Sequence, residues 1–392
     1  MSNNETYSFE VQCHECALIV KLPDLQENQK AQCPRCGYTL STIHRNAVER
    51  VIAFAITALI FLLASLPFNF LSFSSNGLEN HFAVISSFFV LIDNNYHILA
   101  LIELLTIFAI PSVVLLSVIY LLIPLKKGLY PKHGRRILDI VFKLLPWSMV
   151  EIFLIGTLVS LIKIISMADI ALGLSFYAFI LFTLSMTLVV LHIDKRQLYQ
   201  LLAQAESAHN IEIQQSQHKI ARVDPTSQAL SVQKTWALLI TAIILYIPAN
   251  AYPIMTTHSL GQDDPSTIIG GVILLWHLGS YPIAIIIFIA SVLVPVAKIL
   301  VLVWLNYSVQ KQSDRLSLKR VKWYRMAEFV GRWSMIDVFV VIILASLIQL
   351  GPAMSITPGV ATLAFSGVVV VTMLAAMSFE PQLIWKNTND YE

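Results

Sequence analysis

Charge is scarce in this chain. Asp, Glu, Lys and Arg make up 13% of its 392 residues against 56% hydrophobic, and the mean hydropathy is +0.70. A soluble core cannot absorb so much apolar surface, so a soluble domain is excluded and a polytopic membrane protein is expected. The net charge of +2 shows no basic excess that would call for a nucleic-acid partner. Cysteine is nearly absent too, with four residues between positions 13 and 36 and none in the apolar remainder, so no disulfide can cross-link the membrane part. The chain has no Gly-x-x-x-x-Gly-Lys-[Ser/Thr] loop and no recognisable nucleophile, base and orienting acid in its polar parts. ATP hydrolysis is therefore not expected, nor any enzymatic activity.

What is present is a set of long apolar runs. Eight are expected to cross a membrane, at about Val51 to Pro67, Ile98 to Ile123, Val150 to Ile165, Leu172 to Leu191, Trp236 to Tyr252, Ile283 to Trp304, Met335 to Leu350 and Gly359 to Ala376. Of 26 Lys and Arg, all but Lys163 and Lys298 fall in the N-terminal segment, in the loops around 126–143, 195–234 and 311–332, or at the C-terminus. The positive-inside rule then places both termini and the central linker in the cytoplasm. The first run follows about fifty polar residues and lacks a small-residue cleavage site, so it is read as a retained span and not a signal peptide. His81 to Ile92 and Thr267 to Leu278 are apolar but too short to cross, and suit interfacial or re-entrant helices on the outer side.

The chain is duplicated. Trp147 to Ile162 reads WSMVEIFLIGTLVSLI and Trp333 to Ile348 reads WSMIDVFVVIILASLI, at an offset of 186 residues. Leu66-Pro67-Phe68-Asn69 likewise matches Ile247-Pro248-Ala249-Asn250, Pro111 matches Pro295, and Gly173 and Phe179 match Gly359 and Phe365. Four crossings per repeat relate the halves by an axis along the membrane normal. The expected division is a ribbon at 1–45, a four-helix module at 46–195, a linker at 196–233, and a second module with a tail at 234–392.

Cys13-x-x-Cys16 and Cys33-x-x-Cys36 have the spacing of a four-thiolate zinc site. Two knuckles of this kind complete a tetrahedron with no open position, so one structural Zn2+ is expected; a redox dithiol and a pair of disulfides are the rivals. The linker contains His209 and His218 but no Cys, and reads as a solvated helix with a connector.

These CxxC pairs, together with Tyr246-x-Pro248-Ala249-Asn250-x-x-Pro253, Val294-Pro295-x-x-Lys298 and the doubled Trp-Ser-Met-x-[Asp/Glu]-x-Phe motif, resemble the paraquat-inducible protein A / LetA family over nearly the whole chain. The resemblance implies an all-α fold of two tandem tetraspanin-like modules in a bacterial inner membrane. It also implies a separate periplasmic tunnel protein of mammalian-cell-entry (MCE) domains as partner, and phospholipid or a similar amphiphile as cargo. Family members carry a ribbon before each module; here the second lacks its cysteines.

Charged groups within a bilayer are costly and usually functional. Lys298 follows Pro295 by about one turn, with Ser291 on nearly the same face. With Ser334, Asp337 and Thr372 it forms the candidate proton-coupling network of the second repeat, and similar residues form such a network in the family. Glu151 and Ser148 are the first repeat's counterparts, Val114 matches Lys298 in position, and Glu103 is a further acid of that repeat. The competing reading of Asp337 and Lys298 is an interfacial ion pair. Pro248, Asn250 and Pro253 are expected to break their helix and expose backbone along a lipid path. Three functions remain open: a lipid transporter subunit, monomeric in its complex and driven by protons; a membrane anchor and regulator of the tunnel that uses its ribbon to bind other proteins; or a thiol or quinone oxidoreductase, which requires titratable dithiols near the membrane.

Overall fold

The computed structural model describes residues 9–22, 29–42, 46–75, 78–164, 169–209, 225–259, 262–277, 279, 281–311, 317–349 and 354–385. Most of the expected ribbon and both modules lie within them, whereas linker residues 210–224, which include His218, lie outside them.

Eight helices are long and apolar enough to cross a membrane: Ala47–Ala64, His97–Lys126, Gly134–Ile162, Leu174–His192, Ala229–Ala251, Ala284–Gln310, Ser317–Leu347 and Val360–Ser378. They are called the first to eighth spans below. The third and seventh begin as amphipathic helices, Gly134–Leu144 and Ser317–Trp333, and change direction at the Trp-Ser-Met motif before the apolar parts Val150–Ile164 and Ile336–Leu347. Glu151 and Asp337 stand in the first turn of those apolar parts, where a carboxylate complements the helix dipole.

Within each module the outer pair of spans packs along its length, first with fourth and fifth with eighth. The modules meet where the third span crosses the seventh. Phe153 and Phe339, which the duplication makes equivalent, stack edge to face with centroids 5.6 Å apart, so the local dyad passes between them. Gly156 permits this approach: a Cβ there would lie 3.1 Å from Phe339 Cβ. All twelve residues of Ile336–Leu347 are buried, which makes the seventh span the centre of the molecule.

The two short apolar stretches form the helices Val84–Asp93 and Ile268–His277. They are not equivalent. Val84–Asp93 packs on the seventh span, whereas Ile268–His277 packs chiefly on the neighbouring Tyr281–Phe288 and leaves Ile269, Ile273, Leu274 and Trp276 exposed.

The mostly helical fold also contains strands that the apolar pattern does not announce. Each module carries a three-stranded antiparallel sheet at the end remote from the ribbon. Leu71–Ser75 lies between Leu78–Phe82 and Asp169–Leu172, and Met255–Ser259 between Gln262–Ser266 and Met354–Pro358. The sheets fix the repeat register. Gly173 N–H donates to Phe70 O at 3.0 Å and Gly359 N–H to Ile254 O at 2.7 Å, so Phe70 and Ile254 are equivalent at an offset of 184. The match of Asn69 with Asn250 is thereby corrected: Asn69 occupies the place of Pro253.

A second correction concerns the Pro248 to Pro253 stretch. The fifth helix continues through Pro248 to Ala251. At its end Asn250 Nδ2 donates to Tyr246 O at 2.9 Å, Tyr252 N–H to Pro248 O at 3.2 Å and Ala361 N–H to Pro253 O at 3.3 Å. These bonds take up carbonyls at the helix end and just beyond it.

Candidate functional site: a four-thiol ribbon and a buried polar centre

The ribbon consists of two hairpins, Phe9–Gln12 with Ile19–Leu22 and Lys30–Gln32 with Thr39–Thr42, each bearing one CxxC turn. Ala17 and Gly37 take positive φ, and their N–H groups donate to Cys13 O at 2.9 Å and Cys33 O at 2.8 Å. These bonds fold each turn so that both thiols face inward. Cys13 Sγ lies 3.6 Å from Cys36 Sγ and Cys16 Sγ 3.5 Å from Cys33 Sγ, and all four buried sulfurs lie within 4.8 Å of one another. A tetrahedron with metal–sulfur bonds of about 2.3 Å has edges of about 3.8 Å, so the four thiols fit a single metal ion. The hydrogen bond with Cys16 holds Cys13 down at about 5 and raises Cys16, while burial pushes Cys36 up to about 12. A soft cation entering this cluster must therefore displace protons.

The ribbon is anchored to both modules. Thr42 N–H donates to Asp194 Oδ2 at 2.8 Å, just past the fourth span, and the other oxygen of Asp194 caps Lys195–His209 through Arg196 N–H at 2.8 Å. On the other side, Arg325 of the second module grips Glu15 with Nε at 2.9 Å from both carboxylate oxygens, and its Nη2 donates to Cys36 O at 3.0 Å. Arg35 lies 4.5 Å over the Trp385 ring, and Gln382 Nε2 donates to His14 O at 3.0 Å. Glu15 is buried, so Arg325→Met will strand a carboxylate at about 2–3 kcal/mol. The expected result is a ribbon that protease removes faster at unchanged metal content; unchanged protection would show that Arg325 does not hold it.

The other candidate residues lie on the sixth, seventh and eighth spans. Lys298, Ser291, Ser334, Asp337 and Thr372 are all buried. The Lys298 amine reaches across to Gly331, where a Cβ would lie 2.4 Å from Nζ, so the side chain occupies the space that this glycine leaves open. Among the described residues, Lys298 Nζ and Ser334 Oγ have no hydrogen-bond partner. Ser291 and Thr372 give their hydroxyl protons to their own helices, to Ile287 O at 2.7 Å and Val369 O at 3.0 Å. Ser291 also sits in a π-helical segment, Ile289–Leu293, immediately before Pro295, and its counterpart Leu104–Ala109 precedes Pro111. In the first module Glu151 accepts from Thr187 at 2.8 Å, and Ser148 is half-buried at the bend. The two modules are thus unlike, with a buried lysine in the second and Val114 at the equivalent position in the first.

Residues 48–203 and 232–389 each match the sequence pattern of the family described as paraquat-inducible protein A. The chain belongs to the paraquat-inducible protein A family. The two matched stretches each contain one set of four spans, so the family unit is the repeat itself. Family relatives align along nearly the entire length. The chain is 36% identical to an intermembrane transport protein of Escherichia coli (strain K12) over 97% of its own residues and 96% of the relative's. It is 28% identical to a probable intermembrane transport protein of Haemophilus influenzae, covering 96% and 95% of the two chains. It is 26% identical to the lipophilic envelope-spanning tunnel protein A of Escherichia coli (strain K12), covering 95% and 90%. No solved structure matches. This family member is thus a multi-pass membrane protein with two repeats, a four-cysteine metal site and homology to intermembrane transport proteins.

Proposed function

We propose that this protein passes phospholipid or a similar amphiphile between the bacterial inner membrane and a periplasmic MCE-domain tunnel, with proton movement at Asp337 and Lys298 biasing its conformations. The observation that carries this reading is Lys298, 3% exposed, lying against Gly331 with no hydrogen-bond partner among the described residues. A buried amine left unsatisfied lowers stability, and retention of such a group inside a span is explained by work that it does. The names of the relatives support transport between membranes. In this reading the ribbon holds one structural Zn2+, the ribbon end is cytoplasmic, and the sheets face the tunnel. The anchor alternative needs a ribbon surface free for other proteins, whereas Glu15, Arg35 and the Cys36 carbonyl are engaged within the chain.

The test is lipid transfer from proteoliposomes containing the protein and its tunnel partner, with and without a proton gradient. Asp337→Asn and Lys298→Met are expected to abolish gradient-dependent transfer while leaving insertion and metal content intact. Equal transfer by wild type and Asp337→Asn under a gradient would refute proton coupling at this centre, and transfer no greater than from protein-free vesicles would refute transport.

A further inference from the structure

The first module buries a carboxyl group for which the second has no equivalent. Glu103 is 0% exposed and stands in the second span directly before the π-helical segment Leu104–Ala109. At the sheet-defined offset its counterpart is the apolar Ile287. Its surroundings are spare: among the described residues, Ser87 of the short helix Val84–Asp93 is the only polar side chain that acts on it, no charged group does, and Oε2 has no hydrogen-bond partner.

The hydrogen-bond count at Ser87 allows this carboxyl two protonation states. Ser87 Oγ is within bonding distance of two oxygens, Glu103 Oε1 and Val84 O, the latter at 2.7 Å. A serine hydroxyl has one proton to give. Each contact has a full, unshared hydrogen bond when a second proton comes from Glu103, whose O–H then donates to Ser87 Oγ while the serine proton goes to Val84 O. With Glu103 ionised, the serine proton must turn from Val84 to the carboxylate. The pair therefore has two hydrogen-bonded arrangements that differ by one proton, and Ser87 reports the exchange to a helix that packs on the seventh span.

Depth sets this site apart from the Asp337 and Lys298 centre. The position equivalent to Lys298 is Val114, eleven residues beyond Glu103 or about 16 Å along the helix axis. On the seventh span Ser346, buried and without a hydrogen-bond partner among the described residues, lies nine residues past Asp337, about 13 Å toward the same end. Enclosed polar atoms left open in this way are sites for ordered water. We propose that Glu103 is a second proton-binding site, near the sheet-bearing end of the module interface, exchanging protons with the Asp337 and Lys298 centre along the enclosed seventh span. This rests on the proton-coupled reading above and adds the station at the opposite end. The adjoining π-helical turn carries one more residue than an α-turn and lets the helix alter its register as the proton arrives.

Two measurements on the full chain, reconstituted in vesicles of phosphatidylethanolamine and phosphatidylglycerol, test it. Infrared difference spectra on a pH step should show a protonated carboxyl band that shifts in D2O, is lost in Glu103→Gln and persists in Asp337→Asn. Ser87→Ala should keep the band but shift it, because the acid loses its hydroxyl partner. Glutamine preserves shape and hydrogen bonding to Ser87, so Glu103→Gln should insert normally yet lose gradient stimulation of transfer of a fluorescent phospholipid to the tunnel partner. A band unchanged in Glu103→Gln, or wild-type gradient stimulation in that variant, overturns the inference. If Asp337→Asn alone abolishes stimulation, the functional reading stands and this site falls. If wild type shows no stimulation, the functional reading fails, and the proposed exchange fails with it whatever the infrared band shows.

Discussion

Gly359→Ala is expected to leave almost no folded protein, and Gly173→Ala to do the same. A Cβ at Gly359 would lie 2.0 Å from Pro253 O and 2.8 Å from its carbonyl carbon; at Gly173 it would lie 1.8 Å from Asn69 O and 2.6 Å from the carbon. These obstacles are backbone atoms and cannot swing aside as a side chain would. Both glycines also start the last span of their module and donate their own N–H across the contact, to Ile254 O and Phe70 O. Opening the gap for a methyl group breaks that bond and separates the span from the sheet. The cost should exceed about 4 kcal/mol, in the range reserved for severe core disruption. Gly271, in an exposed stretch of Ile268–His277 with nothing within 4 Å of its missing Cβ, is the control: Gly271→Ala should be neutral or stabilising by up to about 1 kcal/mol. Size-exclusion profiles and thermal unfolding in detergent measure all three; a normal monodisperse peak for Gly359→Ala would disprove the argument.

Removing the metal should have the second largest effect, confined to the ribbon. Hairpins with strands of three or four residues have almost no core of their own, and the buried cysteines are most of what lies between them. Comparable thiolate sites bind zinc with about 10–16 kcal/mol, which is then folding free energy. A strong chelator, or Cys33→Ser, is expected to unfold the two hairpins, free Arg325 from Glu15 and the Cys36 carbonyl, and expose the ribbon to protease. The eight spans should remain assembled, since their contacts do not pass through the sulfurs. Lowering the pH should act in the same direction, because a thiol pushed up to about 12, as Cys36 is, binds metal only by losing its proton. A ribbon that stays protease-resistant after quantitative metal loss would contradict this.

The features legible in the sequence were those written in local pattern. Eight runs of apolar residues give eight spans, and two CxxC pairs give one buried sulfur cluster, because length and spacing alone specify them. The sheets were not legible. Their strands are four or five residues long, mostly polar, and Leu71–Ser75 finds its partner Asp169–Leu172 about a hundred residues away. The one local sign was Asn76-Gly77 between Ser75 and Leu78, a dipeptide that favours hairpins. Nor could the sequence show that the apolar part of the seventh span, Ile336–Leu347, is buried along its whole length and that of the third is not. Their motifs are near copies, and helices that are apolar all round carry no stripe to reveal their facing. Gly331 belongs to the same class of omission: a glycine within an amphipathic helix gives no sign that the amine of Lys298 lies against it. Glu103 was visible as a lone acid, but the competition for the Ser87 proton exists only in three dimensions.

The contact of Phe153 with Phe339 places a two-fold axis inside a single polypeptide. Had two separate identical chains met across that axis, every acid or base would have appeared twice, and no ionisable group could mark one half alone. Joining the halves removes that constraint. Glu103 faces no glutamate in the other half and Lys298 no lysine, so the assembly has a left and a right as well as an inside and an outside.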